Sequence, residues 1–441
     1  MYHSRRKFIH HAGKLVIGAG ILGSLPLELI AAQRRYISPN DRIGVGVIGC
    51  NGMGFSDLQS FLKNSACFCA ALCDVDSNVL NRRKLDLEKA GLTAPKLYKN
   101  YQDLLADQAV DIVIIGTPDH WHCLQFLDAL SAGKDVYIEK PIGNSIAEIR
   151  AMELASARSG RVVQVGQWQR SLPHLEDAHQ YMRSGKLGRI RTVKAWAYID
   201  WVSAVPKAPD GPVPAGVDYD LWLGPAPKRP FNPNRFHFNF RWYWDYAGGL
   251  MTDWGVHLID TVLQFMEPEM PQSIMASGGK MAFLNDAQET PDTLTAVYNF
   301  RDFNLIWEHT LGIGIGNFNR PQGVAFLGEN GTMVISRADW EVIPHHKNIE
   351  AVPSQKSQGA SGLDLHVQNF LEAVAVKEPE AAKASIGIGA RVGIVSQMGN
   401  IAYRSGQALH WDAEKGKFKE KEANGYLRRE YYNGYKLLSE K

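Results

Sequence analysis

The chain has 441 residues, 45% of them apolar, enough for two cored domains because single cores seldom grow past about 250–300 residues. Forty-eight Lys and Arg against 46 Asp and Glu leave a net charge of +2. No basic block is dense enough to follow a phosphate backbone, which excludes nucleic acid as a partner.

Ser4-Arg5-Arg6-Lys7-Phe8-Ile9 reads as a twin-arginine leader. The apolar run from Leu15 to Ile30 is broken by Pro26 and Glu28, and it is shorter than the roughly 20 residues a spanning helix needs. Residues 1–32 are therefore expected to be a signal peptide, and 33–40 a linker. A periplasmic protein exported folded, without stable membrane insertion, is the expectation.

From residue 41 apolar strands alternate with amphipathic helices: Ile43 to Ile48, Ala66 to Leu72, Val110 to Ile115, Val136 to Ile138 and Val162 to Val165. Continuous apolar strands of this kind belong to a parallel sheet covered on both faces, so 41–166 reads as a doubly wound Rossmann domain. After Gly166 the strands become longer and aromatic: Thr192 to Tyr198, Thr293 to Phe300, Asn304 to Thr310 and Val324 to Gly328, with Asn330-Gly331 a hairpin turn. Residues 167–411 are expected to form an α+β domain with an open, mainly antiparallel sheet, and 412–441 a charged tail along the surface. The overall class is α/β. Between the first two aromatic strands, Val205 to Tyr246 is too long for an ordinary connection and reads as a functional lid. The five cysteines, Cys50, Cys67, Cys69, Cys73 and Cys123, complete no metal tetrad and read as buried thiols; no metal is expected.

Gly49-Cys50-Asn51-Gly52-Met53-Gly54 follows a strand and opens a helix, and Asp74 ends the next strand. That is the context in which such glycines let a backbone approach a pyrophosphate while the acid receives the ribose hydroxyls. Asn51 stands where the second glycine of the pattern falls, and it tolerates positive φ. Asp74 would repel a 2′-phosphate, so NAD is expected over NADP, although Arg82 and Arg83 lie nearby.

Thr117-Pro118, leading to His122, and Glu139-Lys140-Pro141 each follow a strand of the same sheet, on the edge where open α/β sheets hold ligands. The two histidines at 120 and 122 are read as cofactor-loop and helix-start residues rather than a metal pair. Asp253 and His257 are spaced i, i+4 on one predicted helix, an acid-base couple in which the imidazole can take a hydroxyl proton as hydride leaves carbon. Trp242 and Trp244 are expected to stack on a sugar ring, with Arg170 and His174 as further substrate contacts and Trp222 as core.

Together, Glu139-Lys140-Pro141, Thr117-Pro118 with His122, and Gly248-Gly249-x3-Asp253-x3-His257-x2-Asp260 make the mature chain resemble the Gfo/Idh/MocA family of glucose-fructose oxidoreductases and inositol dehydrogenases. The resemblance implies an oxidoreductase in which Lys140 binds substrate beside the nicotinamide, Asp253 assists and His257 is the base. It implies a sugar or glycoside as substrate, a keto-sugar as product with C3 favoured, tightly held NAD(H), and a homo-oligomer formed through the C-terminal sheet. Two alternatives stay open: a redox-neutral glycosidase or lyase working through a transient keto intermediate, and a sugar-binding accessory protein with a vestigial nucleotide fold.

Overall fold

The computed structural model describes residues 42–347, 349–359 and 361–437. The leader and the linker lie outside them. Among the described residues no helix is long and apolar enough to cross a membrane.

Six strands, β1 (Ile43–Ile48), β2 (Cys67–Cys73), β3 (Lys96–Tyr98), β4 (Ile112–Ile115), β5 (Asp135–Ile138) and β6 (Val163–Val165), form a sheet in the order β3-β2-β1-β4-β5-β6. Every pairing is parallel. Their near-continuous burial follows from helices on both faces. The strand order reverses between β1 and β4, which opens the crevice beyond their carboxyl ends. Five helices connect the strands: α1 (Met53–Leu62), α2 (Ser77–Lys89), α3 (Tyr101–Ala106), α4 (Asp119–Ser131) and α5 (Ile146–Ser159). The cap of α5 forms as its Ser145-x-x-Glu148 spacing predicts: Glu148 N–H donates to Ser145 Oγ at 3.3 Å, and Glu148 Oε2 accepts from Asn144 N–H at 2.7 Å.

The second half adds α6 (Pro173–Arg183), β7 (Thr192–Ile199), α7 (Tyr219–Leu223), α8 (Gly249–Asp253) and α9 (Gly255–Met266), then β8 (Ser273–Gly279), β9 (Thr293–Asn299) and β10 (Asn304–Leu311). Next come β11 (Gln322–Leu327), β12 (Gly331–Ile335), β13 (Asp339–Pro344), β14 (Val352–Lys356), α10 (Gly362–Val376), α11 (Ile386–Ser405), β15 (Leu409–Asp412) and β16 (Lys417–Phe418). The ten strands run β14-β13-β12-β11-β7-β10-β9-β8-β15-β16. Only β7 and β10 pair in parallel; the rest is antiparallel, an α+β arrangement. Gly331 closes the β11–β12 hairpin, its carbonyl accepting from Gly328 N–H at 2.9 Å.

Two features depart from a simple division at residue 166. Helix α10 returns to the first sheet, where Phe370 packs edge-on against Phe61 and Tyr137 at 5.9 and 6.0 Å. The tail also meets the first domain, where Tyr435 lines the crevice. The five cysteines are buried free thiols.

Candidate functional site

A cleft of about 400 Å³ follows the carboxyl edge of the first sheet, from Gly49, Gly52 and Asp74 at one end to Lys140, Arg241 and Asp253 at the other. The glycine turn forms the first end. Gly49 has φ 84°, and a Cβ there would lie 2.7 Å from the Gly116 and Thr117 backbone; a Cβ on Gly54 would meet the Gly49 carbonyl oxygen at 2.1 Å. Gly52 also takes a positive φ, 51°, with nothing within 4 Å of its Cβ position. Asn51 is spared that strain, and its Oδ1 accepts from Arg82 at 3.2 Å. The expected use of Asn51's tolerance for positive φ is therefore corrected.

Asp74 ends β2 with both carboxylate oxygens engaged: Oδ2 accepts from Cys50 N–H at 2.9 Å and Oδ1 from Asp76 N–H at 3.0 Å. Burial pushes its carboxyl up, partly offset by those two N–H donors. Arg83 is committed elsewhere, bonding the Cys50 carbonyl and pairing with Asp86 at 3.0 Å. Met53 begins α1 beside this turn and lines the cleft. A glycine cradle packed against Gly116, a helix N-terminus and a half-buried acid at the second strand fit a dinucleotide.

In the middle of the cleft His122 binds two loops together, its Nδ1 facing the Pro141 carbonyl oxygen at 2.7 Å and its Nε2 that of Thr117 at 2.8 Å. Thr117 Oγ1 donates to Gln125 at 2.7 Å, and Pro118 caps α4. Thr117, Pro118 and His122 all line the wall. His120 instead turns to the second half, its Nε2 3.0 Å from the Trp222 carbonyl.

At the far end Glu139 is buried, and its Oε1 has no hydrogen-bond partner. Burial pushes its carboxyl up to about 7, although Lys140 pulls the other way. Lys140 Nζ donates to Asp253 Oδ1 at 2.7 Å and to the Asp253 carbonyl at 3.1 Å. Arg241 Nε approaches the same Oδ1 at 3.6 Å. Burial alone would raise the Asp253 carboxyl, but Lys140 and Arg241 outweigh it and hold it at about 2.

The expected Asp253–His257 couple does not form. The helix divides at Trp254, and His257 N–H bonds the Trp254 carbonyl at 3.1 Å, while the Asp253 carbonyl goes to Lys140. The imidazole is 6% exposed, with Nδ1 buried and unpartnered. Burial, then the Lys140 and Arg337 charges, push it well below 6.5. It is therefore a neutral ring flanked by cations, not one paired with a carboxylate. Arg337 comes from the β12–β13 turn and lies over Trp254 at 4.4 Å and Trp168 at 5.1 Å. The Gln169 amide, with its oxygen toward the guanidinium, accepts from Nε and Nη2 at 3.0 Å each. Trp168 meets His257 edge-on at 6.4 Å.

Five expected substrate contacts are absent from the lining of the cleft, buried His257 among them. Trp242 is 2% exposed and belongs to the core. Trp244 faces away, beneath Arg404 at 4.8 Å. Arg170 is spent on Asp260 through two 2.7 Å bonds. His174 Nε2 is 3.0 Å from the Ser336 carbonyl, bracing the turn that carries Arg337. Conversely, Arg241, Asp119, Trp121, His237 and Tyr435 line the cleft and Arg337 reaches His257, none of them marked by the sequence motifs. Arg241 had a usable signal, being the cation directly before the aromatic run Trp242-Tyr243-Trp244. Arg337 had none, because the fold alone brings its hairpin to α9.

Two sequence profiles match the chain: "Oxidoreductase family, NAD-binding Rossmann fold" over residues 43–167, and the Gfo/Idh/MocA "Oxidoreductase family, C-terminal alpha/beta domain" over 187–436. A glycosyl hydrolase family 109 protein of Shewanella putrefaciens is 30% identical over 159 residues, 33% of this chain and 35% of that protein. The trans-1,2-dihydrobenzene-1,2-diol dehydrogenase of Mus musculus is 26% identical over 237 residues, 54% of this chain and 60% of that one. The matches thus span about a third to under two thirds of these relatives. Among solved structures, levoglucosan dehydrogenase in complex with NADH and levoglucosan superposes with a TM-score of 0.64 at 16% identity, covering 84% of this chain and 99% of that one. The aldose-aldose oxidoreductase from Caulobacter crescentus, complexed with glycerol, gives 0.65 at 18% identity with the same coverage.

Proposed function

Because the chain belongs to the Gfo/Idh/MocA oxidoreductase family, we propose that it oxidises a hydroxyl of a sugar or glycoside to a keto-sugar, with NAD(H) as its retained cofactor. The observation that carries this reading is the Lys140–Asp253 pair, 2.7 Å apart at one end of a cleft whose other end is the glycine turn and Asp74. NAD, when bound, supplies the acceptor for the hydrogen that leaves carbon as hydride. Lys140, held by Asp253, donates a hydrogen bond to the reacting oxygen and stabilises charge developing there. His257, neutral because burial and two cations keep it so, takes the hydroxyl proton. Those same cations oppose a lasting imidazolium, so the proton moves on or returns when a second carbonyl compound is reduced.

Oxidation at C3, the preference for NAD over NADP and the periplasmic setting read from residues 1–32 are parts of the same proposal. So is a homo-oligomer through the second sheet, supported by Met275 lying exposed on β8. Mass spectrometry of purified protein incubated with a panel of glucosides and a carbonyl acceptor tests the reading: a keto-sugar two hydrogens lighter than the substrate is expected.

The likeness of about a third of the chain to a glycosyl hydrolase family 109 protein favours one second reading. In it, transient oxidation acidifies a neighbouring C–H, elimination expels the aglycone and hydride returns. Release of free aglycone without an added acceptor selects that reading.

A further inference from the structure

The last described stretch, residues 428–437, runs back from the second domain across the first. Arg429 Nη2 donates to the Asp245 carbonyl, and Tyr431 Oη donates to Glu148 Oε1 at 2.7 Å. Tyr432 N–H bonds the Pro225 carbonyl at 3.1 Å, while Asn433 Nδ2 donates to the Gly224 and Ala226 carbonyls at 2.7 and 2.9 Å. Asn433 and Gly434 then adopt φ 57° and 83°, a left-handed pair that reverses the chain. The reversal brings Tyr435 edge-on to Trp121, 5.3 Å between centroids at 82°. Trp121 is itself edge-on to Tyr101 at 5.7 Å.

Trp121 is fixed from behind. Its Nε1 donates to the Leu221 and Trp222 carbonyls at 3.1 and 3.0 Å, and a Cβ on Gly224 would lie 2.1 Å from its ring. Tyr101, Trp121 and Tyr435 all line the cleft, together with Asp74, Asn100 and Gln102. The cleft therefore has an aromatic wall near the acid expected to hold the adenine-side ribose, away from Lys140. The second half also closes over β2: Asp218 N–H bonds the Val75 carbonyl at 2.8 Å, Ser77 N–H that of Gly216 at 2.9 Å, and His237 lies 3.1 Å from Asp76.

We propose that Tyr435 is a cofactor-contact residue at the adenosine end of the cleft, and that residues 428–437 form a strap that makes the dinucleotide slow to leave. The proposal rests on the NAD(H) reading above and extends it, because retention is assigned to named residues. A planar heterocycle beside three aromatic rings gains dispersion and edge contacts that a polar mouth would not offer. For the adenosine end to escape past Tyr435, the strap must lift, breaking the Tyr431–Glu148 and Asn433 hydrogen bonds together. A nicotinamide protein carried away from its cofactor supply needs such slow exchange.

The test loads the full chain with NADH, adds excess NAD and follows loss of bound-nicotinamide fluorescence for wild type, Tyr435→Ala, Tyr435→Phe and a chain ending at Leu427. Tyr435→Ala should release NADH at least about tenfold faster, Tyr435→Phe at nearly the wild-type rate, and the shortened chain fastest. Equal release from wild type and Tyr435→Ala would overturn the proposal, as would a lower melting temperature with unchanged release, which marks a merely structural tail. Failure of every chain to bind NADH would overturn the oxidoreductase reading itself, and the strap with it.

Discussion

Lys140 Nζ lies 2.7 Å from Asp253 Oδ1, so an ammonium from the edge of the first sheet and a carboxylate ending α8 form one ion pair between the two halves. Both side chains are largely withdrawn from water, at 11% and 18% exposure, so losing Asp253 would strand the Lys140 ammonium, whereas losing Lys140 leaves Asp253 with Arg241 at 3.6 Å. Lys140→Met should lower kcat about 10³-fold, roughly 4 kcal/mol of barrier, while NADH remains bound. Single-turnover rates with equilibrium binding in parallel would check both. A parallel loss of binding and rate would make Lys140 a cofactor anchor only.

The ring of His257 sits between cations, and this gives a pH prediction with a definite sign. A base whose proton affinity is depressed by folding contributes stability that is present above its unfolded value of 6.5 and is lost as pH falls below it. His257→Asn should therefore flatten the acid limb of the stability curve by up to about 1.4 kcal/mol per pH unit. Arg337→Gln removes one of the two cations and should shift the acid limb of the kcat/KM profile toward higher pH. An unmoved profile would mean that Arg337 exerts no hold on the ring.

Asp57 and Glu139 make a second buried pair. Phe61, one turn beyond Asp57, is edge-on to Tyr137 at 5.8 Å, and Tyr137 shares its strand face with Glu139, so the helix carries one carboxyl over the other. Both Asp57 oxygens and Glu139 Oε1 lack hydrogen-bond partners among the described residues. Burial and mutual repulsion push Asp57 up; Glu139 reaches about 7. Raised carboxyls keep protons in the folded state that the unfolded chain releases, so stability falls as pH rises from the unfolded carboxylate range to about 7. Asp57→Asn should reduce that fall, read from urea midpoints on both sides of the window.

Trp242 separates packing from recognition. At 2% exposure within the core, Trp242→Ala should cost about 3–5 kcal/mol of stability and affect every substrate equally. A selective rise in KM for one sugar, without a change in unfolding midpoint, would return Trp242 to the site.

These contrasts define what was legible in the chain. The ends of β1, β4 and β5 carry glycine or proline at points where the backbone must turn, so Gly49, Thr117, Pro118 and Lys140 could be placed on one edge before any coordinates. Asp253 was legible from its motif, but its partner was not: i, i+4 spacing presumes an unbroken helix, and the division at Trp254 gave the carboxylate to Lys140 instead. The aromatic run was read by residue type, yet Trp242 turned inward and Arg241 reached the cleft. Strand β8, Ser-Ile-Met-Ala-Ser-Gly-Gly, lacks the β-branched and aromatic density that marked its neighbours, and the sequence reading passed over it. Tyr435 and Arg337 arrive through tertiary folding alone, which leaves no local trace.

The most direct test is a single turnover by cofactor-loaded protein. Mixed with an oxidisable glucoside and no acceptor, the wild type should convert bound NAD to NADH once per cleft, and Lys140→Met should do so about a thousandfold more slowly with equal cofactor content. Reduction at equal rates in both proteins, or no reduction by a fully loaded wild type across the glucoside panel, would contradict the assignment of sugar oxidation to the Lys140–Asp253 end of the cleft.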